Sequence, residues 1–421
     1  PEQLGDVAGS LAGLPVATVF GGHPLDLLDD QDLVCVSGGV PLTLPILIEA
    51  RRRGLPLTND SQIMLDAIQA PVVGITGSAG KTTTTTLVGR MAGDFASRNG
   101  QKAWVGGNIG LPLVEYVDQI KPDDLVIVEF SSFQLELMHR SPHLAAVLNI
   151  TPNHLDRHGT LEAYTAAKAR ILQFQSAEDL AVLNREDQGA WGLKDEVRGR
   201  LVTFGLRRPI DGEGTYCQGD RLYFTDGRRE VELMSRQQIR LRGEHNLLNV
   251  LAAGAIACAA GFPPESIQAG VSGFNGVPHR LEFIRTWHGA DWYNDSIATA
   301  PERTIAAIES FDEPLVLLLG GRDKDLPWEK LAGLVQRRVD HVIVFGEASE
   351  KILRALGPVQ PGLRLQTIHR LPDLRSAVQA AAEIAEPGDV VLLSPGGTSF
   401  DEFKDFEERG ERFQEWVKAL S

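Results

Sequence analysis

Short apolar runs alternate with longer stretches of helical spacing along most of the chain, the pattern of parallel strands covered by helices. Val16–Phe20 and Leu33–Ser37 read as strands, Thr43–Arg53 as a helix, and Leu55–Leu57 as the next strand. A second region opens at about Met64. Its strands are the apolar start of Val72-Val73-Gly74-Ile75, then Leu125–Val128, then Ala145–Ile150. A helix capped by Thr160 follows and sets Tyr164 and Lys168 on one face. Residues 200–240 alternate with a period of two between turn residues, which predicts a peripheral antiparallel element. Gly243-Glu244-His245-Asn246 caps an Ala-rich helix running to about Ala260.

Composition resets near Val277-Pro278-His279-Arg280, where a third region begins. Trp292-Tyr293-Asn294-Asp295-Ser296 ends a strand. Leu315–Leu319, His341–Phe345 and Val390–Leu393 read as parallel strands, with helices near Lys351 and Arg375. The Phe400, Phe403, Phe406 series predicts the core stripe of a helix, and Ser394–Ser399 a glycine-bearing link from strand to helix.

The bulk numbers narrow the class. At 421 residues the chain exceeds what one core serves, and 43% hydrophobic with 23% charged residues is a globular composition. A net charge of −15 argues against general binding to nucleic acid or to an anionic membrane. Cys35, Cys217 and Cys258 lack metal-type spacing and fit a reducing cytosol. The apolar run Leu247–Ala260 is interrupted by Asn249 and is too short to span a bilayer, and no charged-then-apolar leader opens the chain.

Candidate chemistry begins at Ile75-Thr76-Gly77-Ser78-Ala79-Gly80-Lys81-Thr82-Thr83. Strand, glycine turn, lysine, threonine and helix, in that order, seat a polyphosphate. Glycines admit backbone N–H groups, the helix N-terminus adds its positive end, Lys81 bridges oxygens and the Thr82 hydroxyl ligates Mg²⁺. Ile75 stands where the strict pattern has its first glycine. Glu129, at the next strand end, is placed to complete the Mg²⁺ site, and His154, one strand further, to serve a second ion. Asp295 and Lys324 each follow an apolar strand, and Ser394–Ser399 offers N–H groups and hydroxyls to a small carboxylate. Ser37-Gly38-Gly39-Val40-Pro41 is either a ligand-binding strand end or a plain tight turn.

The fold expected is α/β in three domains: a Rossmann-like domain over 1–63, a P-loop ATPase-type domain over 64–278 and a second Rossmann-like domain over 279–421. The first lacks its opening strand and glycine turn, the chain starting instead with Pro1-Glu2-Gln3. A further βα unit of about thirty residues is therefore expected upstream.

These motifs, with Gly107-Asn108-Ile109-Gly110, Glu129-Phe130-Ser131-Ser132-Phe133-Gln134-Leu135, Asn153-His154-Leu155-Asp156-Arg157 and Asn294-Asp295-Ser296, resemble those of the Mur ligases in the same order. The match covers nearly the whole chain. Within the family, Leu393–Pro395 and Ser399–Gly410 are most similar to the D-glutamate-adding member. The resemblance implies a cytoplasmic, monomeric ATP-dependent amide ligase of peptidoglycan synthesis, acting on UDP-N-acetylmuramoyl-L-alanine and D-glutamate through an acyl phosphate. It implies phosphate contacts from Gly77, Ser78, Ala79, Gly80, Lys81, Thr82 and Thr83, and nucleotide contacts from Asn246, Arg280 and Asp295. Ser37, Gly38, Asn108 and His154 would meet the UDP substrate, and Lys324, Thr299, Ser399 and Phe406 the D-glutamate. Thr82 and Glu129 would hold one Mg²⁺, and His154 with a carbamylated Lys168 a second. Lys81, Glu129, His154 and Lys168 would carry catalysis. Ile297 stands where several members have lysine, and Asn153 where some have an acidic residue. The alternatives are another Mur-type or folylpolyglutamate-type amide ligase or, in a different class, a P-loop phosphotransferase or nucleotide-gated binding protein.

Overall fold

A computed structural model describes residue 11 and residues 14–108, 112–241 and 243–421; the Asp156 side chain lies outside it. Pro1-Glu2-Gln3 and the Ile109-Gly110 half of one motif fall outside the described residues. The chain divides into two compact units. The first runs to Gln238 and resumes over Leu248–Val271; the second holds Ile239–Leu247 and Ser272–Ser421.

The first unit opens with a two-stranded parallel sheet, β1 (Val34–Cys35) beside β2 (Leu57–Thr58), over a small core of Leu28, Val36, Ile46, Leu47 and Ala50. Helix Pro45–Arg52 links the strands, with proline at its first turn, where a missing N–H does no harm. Val16–Phe20 is not a strand. All five residues are exposed and lie outside that sheet, because β propensity without a pairing neighbour does not make a strand.

A nine-stranded sheet carries the rest of the unit. Its strands are β3 (Val72–Thr76), β4 (Ala103–Gly107), β5 (Leu125–Glu129), β6 (Leu144–Val147), β7 (Leu180–Asn184), β8 (Arg200–Phe204), β9 (Glu213–Gln218), β10 (Arg221–Thr225) and β11 (Glu230–Ser235). Their order is β11-β10-β9-β8-β7-β6-β3-β5-β4. Pairing is parallel from β4 to β9; of the antiparallel element expected over 200–240, β9, β10 and β11 form an antiparallel end, whereas β8 is parallel to both its neighbours. All five β3 residues are buried, as a strand covered on both faces requires. After β3 the chain first builds β4 and β5 on one side, then crosses to β6 on the other. That reversal puts the carboxyl ends of β3, β5 and β6 at the switch point where open α/β sheets take ligands.

The second unit has six strands: β12 (Glu282–Trp287), β13 (Ala290–Asn294), β14 (Leu315–Gly320), β15 (His341–Phe345), β16 (Thr367–Arg370) and β17 (Val390–Gly396). Their order is β12-β13-β17-β14-β15-β16, with only the β12–β13 pair antiparallel. Cores lie on both faces, one around Leu317, Trp328 and Val335, the other around Trp292, Phe345 and Phe413. The last strand inserts between β13 and β14, so these three share a second switch point.

Two expectations fail in this unit. The phenylalanine series is not a helical stripe: Phe400 is 60% exposed, Phe403 is half-buried near Trp416, and only Phe406 is helical. Asp405 explains the boundary. Its carboxylate accepts from Glu408 N at 2.8 Å and starts the helix at Phe406. Nor does Ser394–Ser399 lead straight into a helix. β17 runs on to Gly396, and Thr398 then exchanges two 2.8 Å backbone bonds with Arg322.

Candidate active site

In the first unit the loop expected to bind phosphate has a fixed geometry. Lys81 begins helix Lys81–Asn99, and Gly80 precedes it with φ 77°, a left-handed conformation suited to glycine. A Cβ on Gly80 would also strike the Asn249 side chain. Asn149, just beyond β6, clamps the loop from the other side: its Oδ1 accepts from Ala79 N at 2.8 Å and its Nδ2 donates to Ala79 O at 3.1 Å. Ser78 Oγ donates to Thr151 O at 2.9 Å and lies 3.0 Å from Tyr164 Oη. Lys81 Nζ donates to Gly77 O at 2.9 Å. Thr82 and Thr83 lie in the first turn of that helix, Thr82 half-buried and Thr83 buried.

Lys168 reaches the same carbonyl. It is 1% exposed, donates to Gly77 O at 2.9 Å and to Thr76 Oγ1 at 3.3 Å, and its Nζ lies 4.8 Å from the Tyr164 ring centre. The Thr160 cap, which accepts from Ala163 N at 3.1 Å, fixes the helix that aims both side chains. Burial holds the Lys168 amine down at about 7, with the Lys81 charge adding to the effect and Glu129 opposing it.

Glu129 is 1% exposed at the end of β5. Its Oε1 accepts from Asn108 Nδ2 at 3.0 Å, and its Oε2 is buried without a hydrogen-bond partner among the described residues. A lone pair left bare in that way suits a cation. No group of three or more His, Cys, Asp or Glu among the described residues could cage a metal. A single carboxylate with a bare oxygen matches Mg²⁺, which keeps waters and phosphate oxygens in its shell.

His154 caps a one-turn helix, Leu155–His158, with φ 52°, and its ring centre lies 5.4 Å from that of Phe133. Ser37 and Gly38 line a crevice of about 10 Å³ with Phe133 and Glu136, room for about one water.

The second unit gathers the other expected residues. Asp295 follows β13 and is buried; its Oδ1 accepts from Leu281 N at 3.2 Å and its Oδ2 from Ser394 Oγ at 2.8 Å. Arg409, fully buried, donates through Nε to Ser296 Oγ at 2.9 Å, through Nη2 to Ser296 O at 2.8 Å and through Nη1 to Gly397 O at 3.1 Å. It thereby ties the end of β13 to the turn after β17. The Phe406 ring stands edge-on to His279, 6.4 Å away. Lys324 is exposed on the loop after β14, Thr299 is half-buried and Ser399 is buried. Arg280 is half-buried, and Asn246 lies in the first turn of helix Glu244–Ala259. A cation does stand by Ile297: Arg303 Nη1 donates to its carbonyl at 3.1 Å.

Burial pushes the Asp295 carboxyl up to about 7, against the Ser394 hydroxyl, the Leu281 N–H, and the charges of Arg280 and Arg303. The fold therefore retains a proton that the unfolded chain releases above its ordinary value of 3.8. Stability from this group is greatest at low pH and is lost as pH rises toward about 7. Asp295→Asn keeps the shape without the charge. It is expected to raise the melting temperature by a few degrees at pH 8 and by clearly less at pH 5; equal gains at both would contradict the assignment.

Sequence reasoning missed Asn149, Asn249 and Arg409. Asn249 did leave a signal, as the one polar residue interrupting an apolar run.

A loop of phosphate-binding type, a buried carboxylate and a buried lysine at one switch point are what an α/β enzyme acting on nucleotide phosphates would carry. The comparisons are specific. The Mur ligase middle domain matches residues 75–257, and the Mur ligase glutamate ligase domain matches residues 279–397. The chain belongs to the Mur ligase family. The UDP-N-acetylmuramoylalanine–D-glutamate ligase of Symbiobacterium thermophilum is 44% identical over 100% of this chain and 91% of its own length. The ligase of the same name from Koribacter versatilis is 40% identical over 97% of this chain and 87% of its own. Among solved structures, MurF from Acinetobacter baumannii superposes with a TM-score of 0.61 at 19% identity, over 85% of this chain and 79% of that one. MurC from Thermotoga maritima gives 0.58 at 20%, over 94% and 88%. Those two likenesses concern the fold.

Proposed function

We propose that the chain is an ATP-dependent ligase joining D-glutamate to the alanyl carboxyl of UDP-N-acetylmuramoyl-L-alanine, a step of peptidoglycan synthesis in the cytoplasm. The observation that carries this reading is the end-to-end likeness to D-glutamate ligases at 44% identity. The site chemistry supports it. No helix among the described residues is long and apolar enough to cross a membrane. We take the working form to be a monomer.

A carboxylate is a poor electrophile until it gains a leaving group. The alanyl carboxylate oxygen attacks the γ-phosphorus of ATP, the bond to the β-phosphate oxygen breaks, and ADP departs, leaving an acyl phosphate. The D-glutamate amine then attacks the acyl carbon. The carbon–oxygen bond to phosphate breaks, and inorganic phosphate and a proton leave. Two anions must meet in the first step, so positive groups decide its rate. Lys81 and the N–H groups of 77–83 would hold the phosphates. Thr82 and the bare Glu129 Oε2 would hold Mg²⁺, and His154 with Lys168 as its carbamate a second ion. Bound there, Mg²⁺ supplies charge screening between the anions. Asn246, Arg280 and Asp295 would meet the nucleotide, and Ser37, Gly38, Asn108 and His154 the UDP substrate. Lys324, Thr299, Ser399 and Phe406 would shape the D-glutamate pocket.

The test is substrate choice. Purified protein with ATP, Mg²⁺ and the UDP substrate should form amide with D-glutamate, and not with L-glutamate or diaminopimelate. Product with either of the latter, and none with D-glutamate, would overturn the reading.

Lys324 gives a narrower check. A charge-assisted bond to a substrate carboxylate is worth about 1.5–3 kcal/mol. Lys324→Ala should then raise KM for D-glutamate by about tenfold or more, with KM for ATP little changed. Equal rises for both substrates would remove Lys324 from the pocket.

A further inference from the structure

His158 would handle neither phosphate nor substrate, yet its side chain is only 1% exposed. Both ring nitrogens are engaged. Nδ1 lies 3.0 Å from Glu136 Oε1, and Nε2 lies 2.9 Å from Ser132 Oγ. Because a carboxylate only accepts, Nδ1 carries a proton toward Glu136. The ring stacks on Phe133 with centres 5.1 Å apart and planes 2° from parallel. It meets Tyr164 edge-on at 5.1 Å.

These partners lie on two of the segments that build the first unit's site, and one of them reaches the third. Ser132 and Phe133 follow Glu129 at the end of β5. Tyr164 shares a helix with Lys168, and its hydroxyl lies 3.0 Å from Ser78 Oγ in the phosphate loop. Phe133 also receives the His154 ring and, 4.8 Å above its centre, the Arg157 guanidinium. The turn bearing His154 is poorly built to hold itself. It is a single helical turn between a left-handed His154 and Gly159 at φ 79°. So short a helix depends on tertiary anchors, and His158 is a buried one.

We propose that His158 is a positioning residue for the ligation: by clamping onto Ser132 and Glu136 it sets His154 and Lys168 against Glu129. The proposal rests on the roles given above to those three residues. His158 therefore acts on how the UDP substrate is held, and not on how D-glutamate is held.

His158→Phe keeps the ring volume and the stack on Phe133 and loses both polar contacts. Steady-state kinetics of the purified, folded variant should show KM for the UDP substrate raised about tenfold and kcat lowered, with KM for D-glutamate unchanged. Loss of folded protein alone would lower the apparent kcat and move neither KM. His158→Gln, whose amide reaches toward Ser132, should recover part of the loss. Ser132→Ala, which cuts the same clamp without touching the ring, should reproduce the KM signature. It also stands as the test if His158→Phe fails to fold. The double variant should lose no more than the worse single one. Wild-type constants in folded His158→Phe or in Ser132→Ala, or equal rises in KM for both substrates, would overturn the proposal. A wild-type protein that makes no D-glutamate amide would instead overturn the function on which it rests.

Discussion

Replacing Lys168 with alanine is expected to lower amide formation about a thousandfold, the scale of removing a group that stabilises developing charge. An ordinary buried lysine would not behave in this way. The amine is 1% exposed, bonds to the neutral oxygens Gly77 O and Thr76 Oγ1, and is held by burial at about 7. A sizeable neutral fraction near neutral pH would leave a lone pair free to add CO₂. The product carbamate is an anion with two hard oxygens, the ligand type Mg²⁺ prefers. Short carboxylic acids added to Lys168→Ala should restore part of the rate by occupying the vacated position, and stripping CO₂ from the wild type should lower activity until bicarbonate is returned. Activity within a few fold of wild type in the alanine variant would make Lys168 a structural lysine.

Lys81→Ala is expected to have the next largest effect, removing ATP turnover almost completely while leaving the melting temperature nearly unchanged. Lys81 is half-buried and donates to Gly77 O at 2.9 Å. The loop is fixed instead by Asn149 and Ser78, so it should persist without the lysine. What would go is the charge expected to bridge phosphates. Near-normal turnover in the folded variant would end the phosphate-loop assignment.

The parts legible in the sequence are those whose cause is local. β3, β5 and β15 are short apolar runs bounded by polar or glycine residues, and they formed where the pattern put them, within about one residue. The Thr160 cap was readable because its partner is three residues away. The parts missed depend on distant partners. Val16–Phe20 has strand-like residues and no strand beside it. β12 and β16 flank the second sheet, and their mixed sequences Glu282–Trp287 and Thr367–Arg370 became strands because an edge was there to join. The helix expected across Phe400–Phe406 lost to a cap at Asp405. At the site, motif residues were legible and their holders were not. Asn149 and Arg409 act across 70 and 113 positions of chain, on Ala79 and Ser296, and no spacing rule links such residues. Ile297 is the reverse case: its side chain carries no charge, and its backbone carbonyl receives a guanidinium supplied six residues later.

The most direct test follows one oxygen atom. UDP-N-acetylmuramoyl-L-alanine labelled with ¹⁸O in its alanyl carboxylate is incubated with the protein, ATP, Mg²⁺ and D-glutamate, and the released phosphate is analysed by mass. Attack of that carboxylate on ATP, followed by displacement by the amine, carries one labelled oxygen from each carboxylate into phosphate. The account predicts singly labelled phosphate in step with D-glutamate amide. Phosphate free of label, or label transferred with no amide formed, would contradict it.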